Sequence, residues 1–235
     1  MSKISKRMNN LYKKIDSNRC YEINQAIDIL KENNTVKFIE SIDVAIKLNI
    51  NTKKIDHNIK NTVILPHSNG QIMKIAVFTQ DKEQIKSIKK IGITMIGMEE
   101  LFSYIKNHKK EKINFVIASP DAMPLVSKLG NILGPRNIMP NPKLGTVTND
   151  IIAVINEIKL GKIIYYNDKY GIIHASIGRI NFSKDKIIEN LKTLMLSIIK
   201  SKFIINKNNL ISRVHLSTTM GVGININFLS ILKNK

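Results

Sequence analysis

Apolar and polar residues alternate along three stretches of the chain, a pattern typical of strands with one buried face. The longest runs from Ile42 to Ile50, a second from Val222 to Phe228, and a weaker one from Ile173 to Ile177. A helix is predicted after Ser183, with one apolar face made by Ile187, Ile188, Leu191, Leu194, Met195, Ile198 and Ile199. Another is predicted over residues 10–19. Half-buried strands with separate helices predict an α+β unit with an antiparallel sheet.

The middle of the chain has a different pattern, in which short apolar runs are separated by helices. The runs cover residues 74–79, 93–96 and 114–119. Asp81 is the predicted N-cap of one helix, and Gly161 is the predicted end of another. Alternating strands and helices predict a parallel sheet that is covered by helices on both faces.

Together the two patterns predict an α+β domain built from both chain ends, with an antiparallel sheet and helices, and an inserted Rossmann-like α/β three-layer domain. The first domain covers residues 1–67 plus 160–235, and the insert covers residues 68–159. The chain crosses between them twice, through turn residues. Because two short adjacent crossings bend most readily about one axis, we expect a hinge at Pro66, Gly70, Leu160 and Gly161.

The charge of the chain indicates a polyanionic partner. Its 235 residues carry a formal net charge of +19, and its pI is about 9.9. Residues 68–159 hold 13 Lys and Arg against 8 Asp and Glu, and the two ends hold 24 against 10. Such an excess favours nucleic acid or an anionic membrane. No run of 18 apolar residues is present, and the basic N-terminus lacks the apolar centre of a secretion signal. We therefore expect nucleic acid as the partner and no membrane.

No residue pattern indicates catalysis, a metal or a cofactor. Cys20 is the only cysteine, and the five histidines lack metal-ligand spacing. Gly92 and Gly97 have the spacing of a P-loop, but Met98 and Glu99 stand where Lys and Ser or Thr are needed. We expect no metal, no cofactor and no enzymatic activity. The rival hypothesis is an enzyme whose insert binds a nucleotide or a phosphorylated substrate.

A proline-rich stretch, GPRNIMPNPKLGTVT, runs from Gly134 to Thr148. Its three prolines predict a stiff and largely extended loop. Its only charges are Arg136 and Lys143, so the loop suits contact with RNA. A loop that packs on the insert's own sheet is the alternative. Because aromatic residues are few and tryptophan is absent, folded RNA is a better partner than a stacked single strand.

The same loop, taken as LGPRNIMPNPKLGTVT, resembles the signature of the L-one family of large-subunit ribosomal proteins. Other segments resemble the family in its order: KFIESIDVAIKLNI (37–50), NTVILPHSNG (61–70), ASPDAM (118–123), SKLGNILGPR (127–136), NDKYGIIHASIG (167–178) and STTMGVGININ (217–227). The resemblance covers nearly the whole chain. Asn137 departs from the family, which more often has Gly there, although Asn tolerates a positive φ best among the other residues.

This resemblance implies a structural protein of the 50S-type large ribosomal subunit, which forms the mobile stalk near the tRNA exit site. The implied partners are large-subunit rRNA, exit-site tRNA and the mRNA of the protein's own operon, whose translation it would repress. The domain of the two chain ends would hold the rRNA, and the insert would move with departing deacylated tRNA. The implied location is the cytoplasm, with plastid and mitochondrial ribosomes as alternatives.

The family's rRNA-binding residues carry over onto segments from both chain ends. The first group is Lys37, Phe38, Ser41, Thr219, Met220 and Gly221, and further candidates are Lys3, Lys6, Arg7, Lys169 and His174. Ser41 and Thr219 can pair with 2′-hydroxyl groups, and Gly221 lets backbone approach backbone. Phe38 and Met220 can pack on sugars or bases. For both of these side chains, burial in the core is the alternative.

Overall fold

The structure is a computed structural model, and it describes residues 5–16, 19–50, 59–68, 70, 73–108, 111–201 and 210–229. The chain forms two compact units. Unit 1 combines Met1–Gly70 with Gly161–Lys235, and unit 2 is Gln71–Leu160. The boundaries expected from the sequence lie at residues 67/68 and 159/160.

Strands and helices alternate in the first part of unit 2, over residues 75–118, but not along the rest of the described chain. The helices are α1 (Lys6–Lys14), α2 (Ile23–Glu32), α3 (Lys82–Lys90), α4 (Glu99–Asn107), α5 (Met123–Ser127), α6 (Gly130–Leu133), α7 (Ile151–Leu160) and α8 (Lys184–Lys200). The strands are β1 (Ser41–Leu48), β2 (Lys60–Ile64), β3 (Ile75–Phe78), β4 (Met95–Gly97), β5 (Phe115–Ala118), β6 (Lys162–Tyr166), β7 (Ile172–Arg179), β8 (Ile211–Thr218) and β9 (Ile224–Ile226). Within the described residues, 3₁₀ turns cover Pro120–Ala122 and Pro142–Leu144.

Unit 1 is built on an antiparallel sheet with the strand order β7-β1-β8-β9. Alternate residues of β1, from Ile42 to Leu48, are buried, and the residues between them are partly exposed on the open face of the sheet. Helix α8 closes the buried face with Ile187, Leu191, Leu194, Met195 and Ile198. The antiparallel sheet with helices that the alternation predicts is therefore confirmed.

A two-stranded antiparallel ribbon, β2 with β6, completes unit 1. Tyr165 on β6 is fully buried, and its hydroxyl lies 2.9 Å from Ser197 Oγ of α8. Burial raises the pKa of the Tyr165 phenol, and the hydrogen bond to Ser197 opposes that rise. The bond satisfies a buried hydroxyl and joins the ribbon to the long helix.

Unit 2 contains a parallel three-stranded sheet with the order β4-β3-β5. All residues of β3 and β5 are buried, as expected for strands that are covered on both faces. Helical residues in the same core are Leu101, Ile105, Val126 and Leu133, and Leu129 joins them from the turn between α5 and α6. The parallel sheet with helices is confirmed, and the Rossmann-like three-layer arrangement stays a prediction.

The first helix differs from the sequence expectation of residues 10–19. Helix α1 begins at Lys6 and ends at Lys14. It starts earlier because the Ser5 hydroxyl accepts the Met8 N–H at 3.4 Å and so caps the first turn.

Among the residues that the structure describes, no helix is long and apolar enough to cross a membrane. Within those same ranges, no group of three or more His, Cys, Asp or Glu side chains could hold a metal ion. Cys20 is exposed.

Candidate nucleic-acid interface

Paired hydrogen bonds hold the start of β1 against the residue that follows β8. Thr219 donates its N–H to the carbonyl oxygen of Ser41 at 3.1 Å. Ser41 in turn donates its N–H to Thr219 Oγ1 at 3.1 Å. These bonds continue the β1–β8 ladder beyond the pair of Ile42 and Thr218. Two sequence-predicted residues that are far apart in the chain are thus adjacent.

The turn at residues 218–221 is held by three further groups. Gly221 donates its N–H to the Thr218 carbonyl at 3.1 Å. Met220 donates its N–H to Glu40 Oε1 at 2.7 Å, and Arg7 donates from Nη2 to the Met220 carbonyl at 2.5 Å. A Cβ at position 221 would lie 2.2 Å from the hydroxyl of Thr218, which is buried. The turn therefore requires glycine at 221 unless the Thr218 side chain moves.

Large apolar side chains are exposed around this turn. Phe38 is 52% exposed and Met220 is 49% exposed, so the alternative that they belong to the core is wrong for both. Lys6 and Lys37 are exposed as well. Apolar contact area, hydroxyl groups and positive charge occur together here. We call the following residues the turn surface: Arg7, Phe38, Ser41, Thr219, Met220 and Gly221.

Lys169 and His174 lie beside a different turn, between β6 and β7. Asp168 Oδ1 accepts the N–H groups of Tyr170 and Ile172, each at 2.8 Å. Burial by itself would raise the pKa of the Asp168 carboxyl, but these two donors and nearby cationic side chains lower it below its ordinary value. His174 Nε2 lies 3.8 Å from Asp168 Oδ2, and the Lys169 ammonium lies 5.0 Å from the centre of the Tyr170 ring.

The predicted rRNA-binding residues that the structure describes in unit 1 therefore form two groups, one around the start of β1 and the end of β8 and the other around the turn before β7. Ser41 pairs with Arg179 at one end of the β1–β7 ladder, whereas His174 pairs with Ala45. Four residues along a strand correspond to about 13 Å. Lys3 lies outside the described residues.

The proline-rich loop of unit 2 is compact, so the expectation of a largely extended loop is wrong. The chain reverses at Asn137, where φ is 57°, and at Gly145, where φ is 66°. Asn137 is the one residue other than glycine with a positive φ in the described part of the chain. Arg136 donates from Nη1 to the Glu111 carbonyl at 2.8 Å, and Lys143 is exposed.

The end of this loop joins the sheet of unit 2. Ala118 of β5 donates its N–H to the Thr146 carbonyl at 3.0 Å and accepts the Thr148 N–H at 3.1 Å. Leu144 and Thr146 are buried. The alternative of a loop that packs on its own sheet is therefore correct for this part, and RNA contact by Arg136 and Lys143 stays a prediction.

The four expected hinge residues have different surroundings. Gly161 has a φ of +113°, and a Cβ there would lie 2.9 Å from Ser68 Cα. Gly70 has a φ of +66°. Residues other than glycine would be strained at both of these positive φ values. Pro66 and Leu160 are exposed. Hinge bending at these residues stays a prediction.

A family profile described as "Ribosomal protein L1p/L10e family" matches residues 30–222. The chain is 45% identical over 233 residues to the large ribosomal subunit protein uL1 of Pasteurella multocida (strain Pm70), which covers 98% of this chain and 100% of that protein. It is 50% identical over 226 residues to the large ribosomal subunit protein uL1 of Buchnera aphidicola subsp. Acyrthosiphon pisum (strain Tuc7), covering 95% of this chain and 96% of that protein. The chain belongs to the ribosomal protein L1p/L10e family. The resemblance stated from its sequence is therefore confirmed.

Sequence reasoning missed two residues that shape the turn surface of this L1p/L10e family member. Glu40 is 1% exposed, and its carboxylate holds the Met220 N–H. Thr35 Oγ1 accepts a long hydrogen bond of 3.5 Å from Arg7 Nη1. The residue type of Glu40 does not indicate burial, because acidic side chains are usually exposed. Only the position of Glu40, two residues before the predicted strand, could have indicated a structural role.

The open face of the unit 1 sheet is also polar, and sequence reasoning did not single it out. Asp43 pairs with Ser217 across the strands, and Ala45 pairs with His215. Burial raises the pKa of the Asp43 carboxyl. Burial, together with the neighbouring Arg213, lowers the pKa of the His215 imidazole. Both shifts oppose the charged forms of these two groups, and the cross-strand pair Lys47 and Arg213 adds positive charge to the same face.

Proposed function

We propose that this chain is a non-enzymatic structural protein of the large ribosomal subunit and that its turn surface binds large-subunit rRNA. The observation that carries the proposal is the turn itself. Two exposed apolar side chains, Phe38 and Met220, belong to the same turn surface as the Thr219 hydroxyl, which accepts the Ser41 N–H. Folded RNA offers the matching groups, which are sugar faces, 2′-hydroxyls and phosphates.

The hydrogen bonds of the turn leave its recognition groups available. Thr219 Oγ1 accepts the Ser41 N–H, and its own proton has only a long contact of 3.4 Å to the Ser41 carbonyl. The hydroxyl can therefore donate to a 2′-oxygen without breaking the turn. Because Gly221 has no side chain, an RNA backbone can approach the peptide closely. Lys6 and Lys37 supply positive charge for phosphates.

The wider role rests on family membership and on the two-unit division of the chain. The rRNA-bound unit 1 would form the base of the mobile stalk near the tRNA exit site, in cytoplasmic ribosomes. Unit 2, with a Rossmann-like three-layer fold, would move about the hinge and assist release of deacylated tRNA through Arg136 and Lys143. An mRNA segment of the protein's own operon that mimics the rRNA site would occupy the same turn surface, so that binding represses translation.

The test compares two substitutions at one residue. Thr219→Val keeps the shape of the side chain but removes the hydroxyl, whereas Thr219→Ser keeps the hydroxyl. We expect Thr219→Val to weaken binding to stalk rRNA by about 1–3 kcal/mol, the cost of leaving a partner unpaired, or about 5- to 150-fold in Kd. Thr219→Ser should bind within a few-fold of the unmodified protein. Filter binding or fluorescence anisotropy gives both constants.

The control is Thr193→Val, which removes a hydroxyl that bonds to the Glu189 carbonyl within α8. It should leave rRNA affinity unchanged. Binding to a scrambled RNA of equal length should be the same for all variants. The proposal fails if Thr219→Val loses affinity equally for both RNAs or for neither. Loss of repression of a reporter that carries the operon leader should follow the loss of rRNA affinity across the same variants.

A further inference from the structure

A groove runs along α1 on the side of unit 1 that carries the turn surface. It has a volume of about 440 Å³ and lies between α1 and the chain that leaves α2. Residues of α1 that line it are Arg7, Asn10, Lys13 and Lys14, and Asn33 and Thr35 line the other wall. Arg7, Asn10 and Lys14 fall on one stripe of the helix, because residues three, four and seven apart share a face.

The groove is positively charged and its lysines are available. Three cationic side chains line it against one carboxylate, that of Glu32. Lys13 and Lys14 are exposed, and neither forms an ion pair with a described carboxylate. Part of their role is to offset the negative end of the α1 dipole, since both stand in the last turn of the helix. This interaction with the helix dipole requires no specific contact, so the ammonium groups of Lys13 and Lys14 remain exposed to solvent.

Arg7 joins this groove to the turn surface. Its Nη2 donates to the Met220 carbonyl at 2.5 Å, and its Nη1 donates to Thr35 Oγ1 at 3.5 Å. Seven residues of helix, from Arg7 to Lys14, span about 10 Å. A strand that leaves the turn surface past Arg7 therefore meets further cations and amide or hydroxyl groups without a gap.

We propose that this α1 groove binds the sugar-phosphate backbone of the same RNA whose bases or sugars contact the turn surface. The proposal rests on the proposed function and extends it from a single turn to a continuous path. Lys13 and Lys14 pair with phosphates, while Asn10 and the Thr35 hydroxyl donate to phosphate or 2′-oxygens. These contacts recognise backbone and carry no base sequence, so they add affinity that depends strongly on salt.

The experiment compares two pairs of adjacent lysines in the full-length protein. Lys13→Gln/Lys14→Gln removes the groove pair. Lys89→Gln/Lys90→Gln is the matched control, because that pair is also exposed and also stands in the last turn of a nine-residue helix, α3. Both variants lower the net charge equally. Thermal unfolding monitored by circular dichroism checks that both variants remain folded.

The measurement is the Kd for stalk rRNA as a function of salt concentration. Each lost phosphate contact lowers the slope of log K against log salt by about 0.7–0.9. We expect the groove variant to lose about 1.5 from this slope and to bind about tenfold more weakly at 0.1 M salt, whereas the control changes neither. Glu32→Gln should strengthen binding, because it removes the one carboxylate of the groove.

Three outcomes overturn the groove proposal. The first is equal slopes for the groove and control variants, which would mean that only net charge matters. The second is unchanged rRNA binding by the groove variant while Thr219→Val still loses specific affinity, which leaves the proposed function standing. The third is that the Lys13 and Lys14 substitutions abolish binding to vesicles of anionic phospholipid but leave rRNA binding unchanged. If Thr219→Val has no effect either, the proposed function itself fails.

Discussion

Replacing Asn190 by alanine should loosen the first crossing segment and lower the stability of unit 1. Asn190 is fully buried on α8. Its Oδ1 accepts the His67 N–H at 3.0 Å, and its Nδ2 donates to the carbonyls of His67 at 2.8 Å and Ile177 at 2.7 Å. One side chain thus satisfies both backbone groups of His67, which lies in the crossing segment, and one carbonyl of β7.

The size of the effect follows from the burial of each partner. Alanine at 190 leaves three backbone groups without their partner, and an unsatisfied buried group costs about 1–3 kcal/mol. Ile177 is fully buried, so its carbonyl incurs the full cost. His67 is only partly buried, so water can replace part of its two bonds. Together these terms give a loss of about 3 kcal/mol, which is a large fraction of the stability of a domain.

An aspartate at the same position makes a sharper comparison. Asn190→Asp keeps the acceptor for the His67 N–H but places a carboxylate against the two carbonyl oxygens. Burial should raise the pKa of the new carboxyl, so that the folded state binds a proton more tightly than the unfolded state. The free energy of unfolding of Asn190→Asp should then fall as pH rises through the raised pKa. Its loss of stability relative to the protein with Asn190 should therefore become smaller as pH falls towards 4.

Amide hydrogen exchange is the assay, because it reports stability residue by residue. The amide of His67 should lose protection in Asn190→Ala, together with the neighbouring β7 amides. Glu189→Ala is the contrast, since Glu189 bonds to His67 Nε2 at 2.6 Å but is 59% exposed. An exposed pair contributes at most about 1 kcal/mol. A stability loss below about 1 kcal/mol in Asn190→Ala, or unchanged protection at His67, would refute the reasoning.

Two further predictions concern the turn surface and the open face of the sheet. Gly221→Ala should weaken rRNA binding at least tenfold and slightly destabilise unit 1, because its Cβ would lie 2.2 Å from Thr218 Oγ1; anisotropy and thermal melts measure the two effects. His215→Asn should flatten the pH dependence of stability below about pH 6.5, because burial and Arg213 lower the folded-state pKa of His215 below its ordinary value of 6.5. The unfolded state takes up that proton first, so His215 costs stability as pH falls below 6.5. An identical pH profile for both proteins would contradict this second prediction.

The elements with a strict period could be predicted from the sequence, since side-chain alternation follows directly from strand geometry. Strand β1 ends within two residues of its expected end, Ile50, and α8 begins directly after Ser183. The path of the chain through turns could not be predicted in the same way. Three prolines indicated an extended loop, but proline restricts φ without fixing the direction of the chain, and the left-handed residues Asn137 and Gly145 reverse it.

In the candidate site, too, some features could be predicted from the sequence and others could not. Resemblance to a family supplied Ser41 and Thr219 as residues, but not the bonds between them. The contact of Arg7 with Met220 joins positions 213 residues apart, and no local pattern in the sequence encodes it. Burial of Glu40 is likewise a property of packing. The residue types of a site can therefore be predicted from sequence, whereas the groups that hold them in place depend on the tertiary fold.

Recognition and affinity have different physical sources in this protein. The turn surface is held by internal hydrogen bonds to Ser41, Glu40 and Arg7, so little conformational entropy is lost when RNA docks there. The open face beside it carries Asp43 and His215, whose pKa shifts both oppose charging. Positive charge occurs on this face as the cross-strand pair Lys47 and Arg213, and also on Lys6, Lys37 and the α1 groove. Salt should therefore lower the affinity for any RNA. The ratio of the affinities for cognate and scrambled RNA is set at the turn surface and should depend on salt much less.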